Sequence, residues 1–158
     1  DKMTMVYNRS ATIDNIKKIL RDEPDGLHAL FMIDVDNFKA LNDNFGHQAG
    51  DEFLVEMAGR LKKEFEECGV VGRIGGDEFF VLMRNAGSID AVSKKAKEVL
   101  SSIQALCGRY PVIRISASIG ISLYPKHGET VDELYGQADE ALYQAKREGK
   151  NQFIIAKI

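Results

Sequence analysis

Two acid-bearing stretches carry the residue types in this chain that could do chemistry. The first is Arg73-Ile74-Gly75-Gly76-Asp77-Glu78-Phe79-Phe80, two glycines and two adjacent carboxylates between apolar, β-prone flanks. Residues 70–74 and 79–83 read as the arms of a hairpin, with the glycines supplying the positive φ that tight turns need. Asp77 and Glu78 then lie where the backbone is open to a divalent metal or a phosphate. Taken alone, this pattern is better read as an ordinary polar turn. The second stretch changes that reading. The apolar run 29–33 fits a buried strand and ends abruptly in Asp34 and Asp36, two residues apart and on one side of a continuing strand. An ionised carboxylate there is costly unless it is paired or bound to metal. Lys39 as an ion-pair partner is the plainer option. A hard cation held by Asp34 and a hairpin acid is the functional one. Magnesium suits such a site, since it takes one or two carboxylates together with waters and substrate phosphates.

These stretches belong to a longer ordered set. It comprises Asn8-Arg9, Asp34-Val35-Asp36-Asn37-Phe38-Lys39, Asn42-Asp43, Gly46-His47, Gly50-Asp51 and the run from Gly75 to Phe79. It continues through Gly120-Ile121-Ser122, Ala138-Asp139, Ala141-Leu142-Tyr143, Ala145-Lys146 and Gly149-Lys150-Asn151. With that set, from Asp1 to about Phe153, the chain resembles the GGDEF domain, the catalytic module of diguanylate cyclases. The resemblance implies an α+β, ferredoxin-like core shared with nucleotide cyclases and polymerase palm domains. It also implies the condensation of two GTP molecules into cyclic di-GMP, one 3′-hydroxyl attacking the other's α-phosphate as pyrophosphate leaves. Such a step depends mostly on positioning and charge neutralisation. Two magnesium (or manganese) ions per active site can activate the attacking oxygen and stabilise the leaving one.

On matching positions, the resemblance implies that Asp34, the main-chain carbonyl of Val35 and Asp77 hold the metals, with Glu78 as a further ligand or base. Asp77 is the position usually given the proton-acceptor role, and spacing leaves open which acid takes the proton. Lys39 joins Asp77 and Glu78 as a catalytic candidate. The backbone around Asn37, Phe38 and Lys39 would cradle phosphates, with Gly75 and Gly76 leaving the opposite turn open. Asn42 and Asp51 match a guanine-reading pair. Singly they would be a helix-end residue and a favourable charge in a helix's first turn. Lys146 matches a phosphate contact, or else complements its helix dipole. Lys150 stands where the family has arginine, keeping the charge but losing the planar fork. His47 is read as structural.

Two departures carry expectations of their own. Thr4-Met5-Val6 replaces the usual Thr-Gly-Leu near the start. Glu66 and Gly69 stand where the inhibitory product site reads Arg-x-x-Asp, so that site is expected to be missing, with Lys62, Lys63 and Arg73 as solvated surface charges. The resemblance further implies a transient homodimer, each copy holding one GTP, under an upstream sensor or receiver domain. The alternative is a non-catalytic GTP-binding domain regulating a neighbour, against which the intact Asp34, Lys39, Asp77 and Glu78 argue.

Composition sets bounds. A length of 158 residues fits one domain (1–158), expected to be cut from a longer signalling protein. A net charge of −3 argues against broad nucleic-acid binding. No apolar run is long enough to span a membrane, and neither a membrane span nor a signal peptide is expected within these residues. Cys68 and Cys107 read as free thiols of a reducing cytosol, so a cytoplasmic domain is expected.

Periodicity places the elements that must position these residues. Helical stripes run through Ile13, Ile16 and Leu20; Phe53, Met57, Leu61 and Phe65; Val92, Ala96, Val99 and Ile103; and Leu134, Ala138, Ala141 and Ala145. Thr130 and Glu133 have capping-box spacing, and Gly149 suits the C′ position. Residues 112–124 alternate apolar and polar, predicting a long strand with one packed face and one polar or open face. A short strand is expected near residues 153–156. The order of helix, strand, two helices, hairpin, helix, strand, helix, strand predicts helices on one face of a mainly antiparallel sheet.

Overall fold

The strand that bears Asp34 and Asp36 lies at the centre of the sheet. The computed structural model describes residues 1–157. In chain order they form α1 (Arg9–Asp22), β1 (His28–Asp36), α2 (Phe38–Phe45), α3 (His47–Phe65), β2 (Gly69–Gly75), β3 (Glu78–Met83), α4 (Ile89–Cys107), β4 (Ser116–Tyr124), α5 (Val131–Arg147) and β5 (Phe153–Ile155). The five strands line up as β2-β3-β1-β4-β5. All neighbours are antiparallel except β4 and β5. The expected sequence of elements, the hairpin and the palm-like α+β architecture are all present.

Side-chain caps start three of the helices. Asn8 accepts from the Ala11 amide, Ser88 from that of Ala91 and Thr130 from that of Glu133, each satisfying an amide that the first helical turn leaves free. The return contact of the box at α5 falls one residue early, with Glu133 accepting from the Glu129 amide at 3.4 Å and from the Thr130 hydroxyl at 3.1 Å. Glu148 caps the other end, and Gly149 follows at φ +120°.

Two expectations are corrected. Helices cover both faces of the sheet, not one. Phe31, Ile33, Val35, Phe79, Val81 and Ile119 pack with α3 and α4. Leu30, Met32, Phe80 and Leu82 pack with α1 and α5 on the other face. The polar side of β4 is therefore closed: Ser118 and Ser122 are buried, and the Ser122 hydroxyl donates to the Leu134 carbonyl of α5 at 2.7 Å. Gly120 permits this approach, since a Cβ there would collide with the α5 backbone at Ala138 and Leu142. Alternating small polar residues thus mark a close helix contact, not a solvated face.

The second correction concerns β4, which starts at Ser116 and not at Val112. Its partner β1 ends at Asp36, opposite Ser116, and Asn37 then turns left-handed (φ +61°) into α2. Residues 112–115 have no strand beside them to pair with.

Candidate active site

The alternation of β1 sends Val35 into the α3/α4 core and leaves Asp34 and Asp36 on the α5 side, as their spacing predicts. Asp34 lies opposite Glu78 of β3 and Ser118 of β4. The hairpin brings its turn to the same end, where the Val35 amide donates to the Asp77 carbonyl at 3.2 Å. Asp34, Asp77 and Glu78 are thereby gathered from residues more than forty positions apart in the chain.

Their electrostatics follow from this crowding. Burial, and then the neighbouring Asp34 carboxylate, push Asp77 above the usual aspartate range, against opposing pulls from a backbone hydrogen bond and Lys146. Burial and Asp34 likewise raise Glu78, with Asp139 and Asp77 adding to the effect and Arg9 opposing it. The cluster is short of positive charge.

The nearest cation is Lys146, from the last turn of α5. Its Nζ lies 2.8 Å from Asp34 Oδ2 and 3.3 Å from Asp36 Oδ1. Burial depresses its pKa, but the hydrogen bond and charge of Asp34, followed by those of Asp36, outweigh that and raise it. Lys39, the ion-pair partner offered by sequence, is exposed and pairs with neither aspartate.

The two aspartates differ sharply. The Asp36 side chain is 0% exposed, that of Asp34 22%. Asp36 accepts from the hydroxyls of Ser116 (2.7 Å) and Ser118 (2.9 Å), the Asn151 amide (3.3 Å) and Lys146. It is an anchor that the sequence reading left without a role. The signal was present in the polar members of β4, but only the strand register shows that they face Asp36.

Around this centre, Asn37 donates to the Arg114 carbonyl at 2.5 Å, and Lys150 Nζ reaches Asn37 Oδ1 at 3.5 Å. Phe38 packs on Phe53, with ring centroids 6.4 Å apart, fixing the start of α2 against α3. Gly75 and Gly76 are exposed, with no heavy atom within 4 Å of a built Cβ. At the α2–α3 junction Asn42 Oδ1 is buried and has no hydrogen-bond partner among the described residues. Gly50 makes room for it, because a Cβ there would overlap that oxygen. Asp51 follows, exposed in the second turn of α3 and not in the first, where its charge was expected.

Arg73 is corrected. It is not a solvated charge: its Nε donates to the Gly76 carbonyl at 2.8 Å and its guanidinium pairs with Asp1 at 3.2 Å. Glu66 and Gly69 are both exposed, on the rim of a hollow of about 980 Å³ shared with Met5, Tyr7 and Lys62. None of the clustered acids lines it.

A hard divalent cation fits the acid cluster. Among the described residues no three His, Cys, Asp or Glu are placed to hold a metal ion by themselves. Magnesium needs none, since it completes its shell with waters and substrate phosphates. Carboxylate oxygens are the donors such a cation takes, and the raised Asp77 and Glu78 mark a place where negative charge is under-compensated. No helix among the described residues is long and apolar enough to cross a membrane.

A palm-like sheet with carboxylates at the end of its central strand and the adjoining turn defines a nucleotidyl-cyclase domain. The chain belongs to the GGDEF diguanylate cyclase family, whose "Diguanylate cyclase, GGDEF domain" model matches residues 1–152. Members of the family generally use divalent metal ions. Among similar Pseudomonas aeruginosa proteins, the bifunctional diguanylate cyclase/cyclic di-GMP phosphodiesterase MucR is 37% identical over 96% of this chain and 22% of its own length. Diguanylate cyclase TpbB from that species is 35% identical over 100% of this chain and 37% of its own. The chain thus spans well under half of either relative. The GGDEF domain of TpbB superposes with a TM-score of 0.90 at 36% identity, covering 99% of this chain and 94% of that one. The diguanylate cyclase SiaD, solved with its activator SiaC, gives 0.88 at 31% identity, covering 99% and 61%.

Proposed function

We propose that this domain is a competent diguanylate cyclase, condensing two GTP molecules into cyclic di-GMP and pyrophosphate. The observation that carries this reading is the convergence of Asp34, Asp77 and Glu78 at one end of the sheet, with Asp77 and Glu78 raised by burial and mutual repulsion. In each of two condensation steps an O3′–Pα bond forms, the Pα–O bond to a pyrophosphate breaks, and the 3′-hydroxyl proton leaves to a carboxylate, so that two pyrophosphates are released per cyclic di-GMP. A raised carboxylate is a better acceptor than an ordinary one, which suits Asp77 and Glu78 to that role.

Asp34, the Val35 carbonyl, Asp77 and Glu78 would hold the magnesium or manganese ions, two to a site. Bound there, the ions supply charge neutralisation to the attacking and leaving oxygens. The backbone at Asn37, Phe38 and Lys39, the open turn at Gly75 and Gly76, and the ammonium groups of Lys39, Lys146 and Lys150 would hold the triphosphate. Asn42 and Asp51 would read guanine: a carboxylate accepts from N1–H and the exocyclic amine, and the buried Asn42 oxygen awaits a donor.

Each copy presents one acid cluster and one nucleotide, so turnover needs two copies face to face, paired transiently. Residues 1–158 would be the catalytic unit of a longer signalling protein, as the short share of each relative that the chain spans supports, and it would act in the cytoplasm. A sensor or receiver domain would control the pairing. With Glu66 and Gly69 in place of Arg-x-x-Asp, product would inhibit by competing at the active site, and excess GTP would relieve it.

The test is incubation with GTP and magnesium, followed by identification of the nucleotide product. Cyclic di-GMP is expected. GTP binding with no product from the paired domain would leave a regulatory nucleotide-binding module instead.

A further inference from the structure

Lys146 pairs with Asp34, one of the acids that the proposed function assigns to metal. Its ammonium bridges Asp34 at 2.8 Å and Asp36 at 3.3 Å, and the two carboxylates differ in what else they have. Asp36 keeps three other donors, from Ser116, Ser118 and the Asn151 amide, and is sealed from solvent. For the half-buried Asp34, Lys146 is the only cation within ion-pair distance among the described residues. The lysine is itself 31% exposed at the side chain and rooted on α5, whose close seat on β4 at Gly120 fixes where the ammonium can reach.

We infer that Lys146 is a resident counter-cation that competes with the divalent metal for Asp34. Asp36 is its permanent pivot: the lysine releases Asp34 to the metal while staying tied to Asp36. An arriving triphosphate favours the exchange, because it offers the freed ammonium a new anionic partner. Metal binding to the nucleotide-free domain is therefore weak, and nucleotide strengthens it through Lys146. Lys146 is a positioning residue in this role, setting the order in which charges enter the site. The inference rests on the reading of Asp34 as a metal ligand.

Manganese titrations of the folded domain, read by the electron paramagnetic resonance of free Mn²⁺, test it without turnover. In the absence of nucleotide, Lys146→Met and Lys146→Gln should each bind Mn²⁺ about tenfold more tightly than wild type, within the usual range for coupled sites. A non-hydrolysable GTP analogue should tighten Mn²⁺ binding in wild type and do so far less in either variant. Failure of wild type to bind Mn²⁺ even with the analogue would sink the metal reading itself. Analogue-dependent binding in wild type with unchanged or weaker Mn²⁺ affinity in both folded variants would overturn the counter-cation role alone. Should the substitutions unfold the protein, ¹⁵N resonances of wild-type lysine ammonium groups supply the second readout. The Lys146 signal should shift as Mg²⁺ is added, and a signal unmoved at saturating Mg²⁺ would equally overturn the inference.

Discussion

The two faces of the central sheet are built from alternate residues of the same strands, yet they do different work. Beneath α3 and α4 the face is apolar along its central strands, with Phe31, Ile33, Val35, Phe79 and Ile119 all essentially buried, and Arg73 bringing charge to it on the edge strand β2. Beneath α1 and α5 it starts the same way, with Leu30, Met32, Phe80 and Leu82, and then turns acidic at Asp34, Asp36 and Glu78. One face is given mainly to packing. The other gives its end to charge, and burial raises Glu78 there and Asp77 in the adjoining turn instead of rewarding them. Stability and chemistry are thus separated by strand alternation, within a single side-chain period.

Damage to the packing face should be largest in stability. Phe31→Ala, in the fully buried core against Phe65, is expected to cost about 3–5 kcal/mol. Denaturant unfolding would measure it, and a loss below 1 kcal/mol would show that the face is not closely packed there.

Asp77→Asn should do the reverse, lowering cyclic di-GMP formation by about 10²-fold or more while leaving the fold intact. Because the folded-state pKa of Asp77 is raised, the native state binds the proton more readily than the unfolded chain. Its ionisation therefore lowers stability as pH rises through the interval between the two pKa values. The variant should melt at or above the wild-type temperature at neutral pH, with its advantage shrinking as pH falls into the carboxylate range. Thermal melts across pH 4–8 check this. A variant less stable than wild type at neutral pH would contradict the penalty assigned to Asp77.

Asp36→Asn tests whether the acidic end contains an anchor as well as reactive groups. It should destabilise by about 1–3 kcal/mol, since at least one serine hydroxyl or Lys146 loses its acceptor. That is the opposite sign from Asp77→Asn, and equal melting temperatures for the two variants would erase the distinction. The smallest effect on the fold is expected at Asn42. Removing a buried oxygen that bonds to nothing should leave the melting temperature nearly unchanged, while Asn42→Ala weakens GTP binding about tenfold and blurs its preference over ATP. Calorimetry with both nucleotides reads the second part.

Much of this arrangement was legible in the sequence because its signals are local. The stripe from Phe53 to Phe65, the capping box at Thr130 and the shared face of Asp34 and Asp36 each depend on neighbours a few residues apart. What escaped depends on distant partners. Alternation at Ser116, Ser118 and Ser122 cannot reveal that α5 will cover the polar side, nor that two of those hydroxyls serve Asp36, some eighty positions earlier. Arg73 looked solvated because Asp1 and Gly76 meet it only after the hairpin has formed beside the first residues. The early end of β4 had the same cause. A strand can extend only as far as its partner, and β1 stops at Asp36.

The brace at Arg73 bears on how such a domain can be recombined with other proteins. Asp1 caps the amides of Met3 and Thr4 and also holds the arginine that grips the Gly76 carbonyl, so the first residues are part of the hairpin's scaffolding. A chimera joined upstream of Asp1 inherits a turn that is already splinted. A graft junction placed between Asp1 and Tyr7 would sever that splint, and the loss would surface at the Gly75-Gly76-Asp77 loop, far along the chain from the cut.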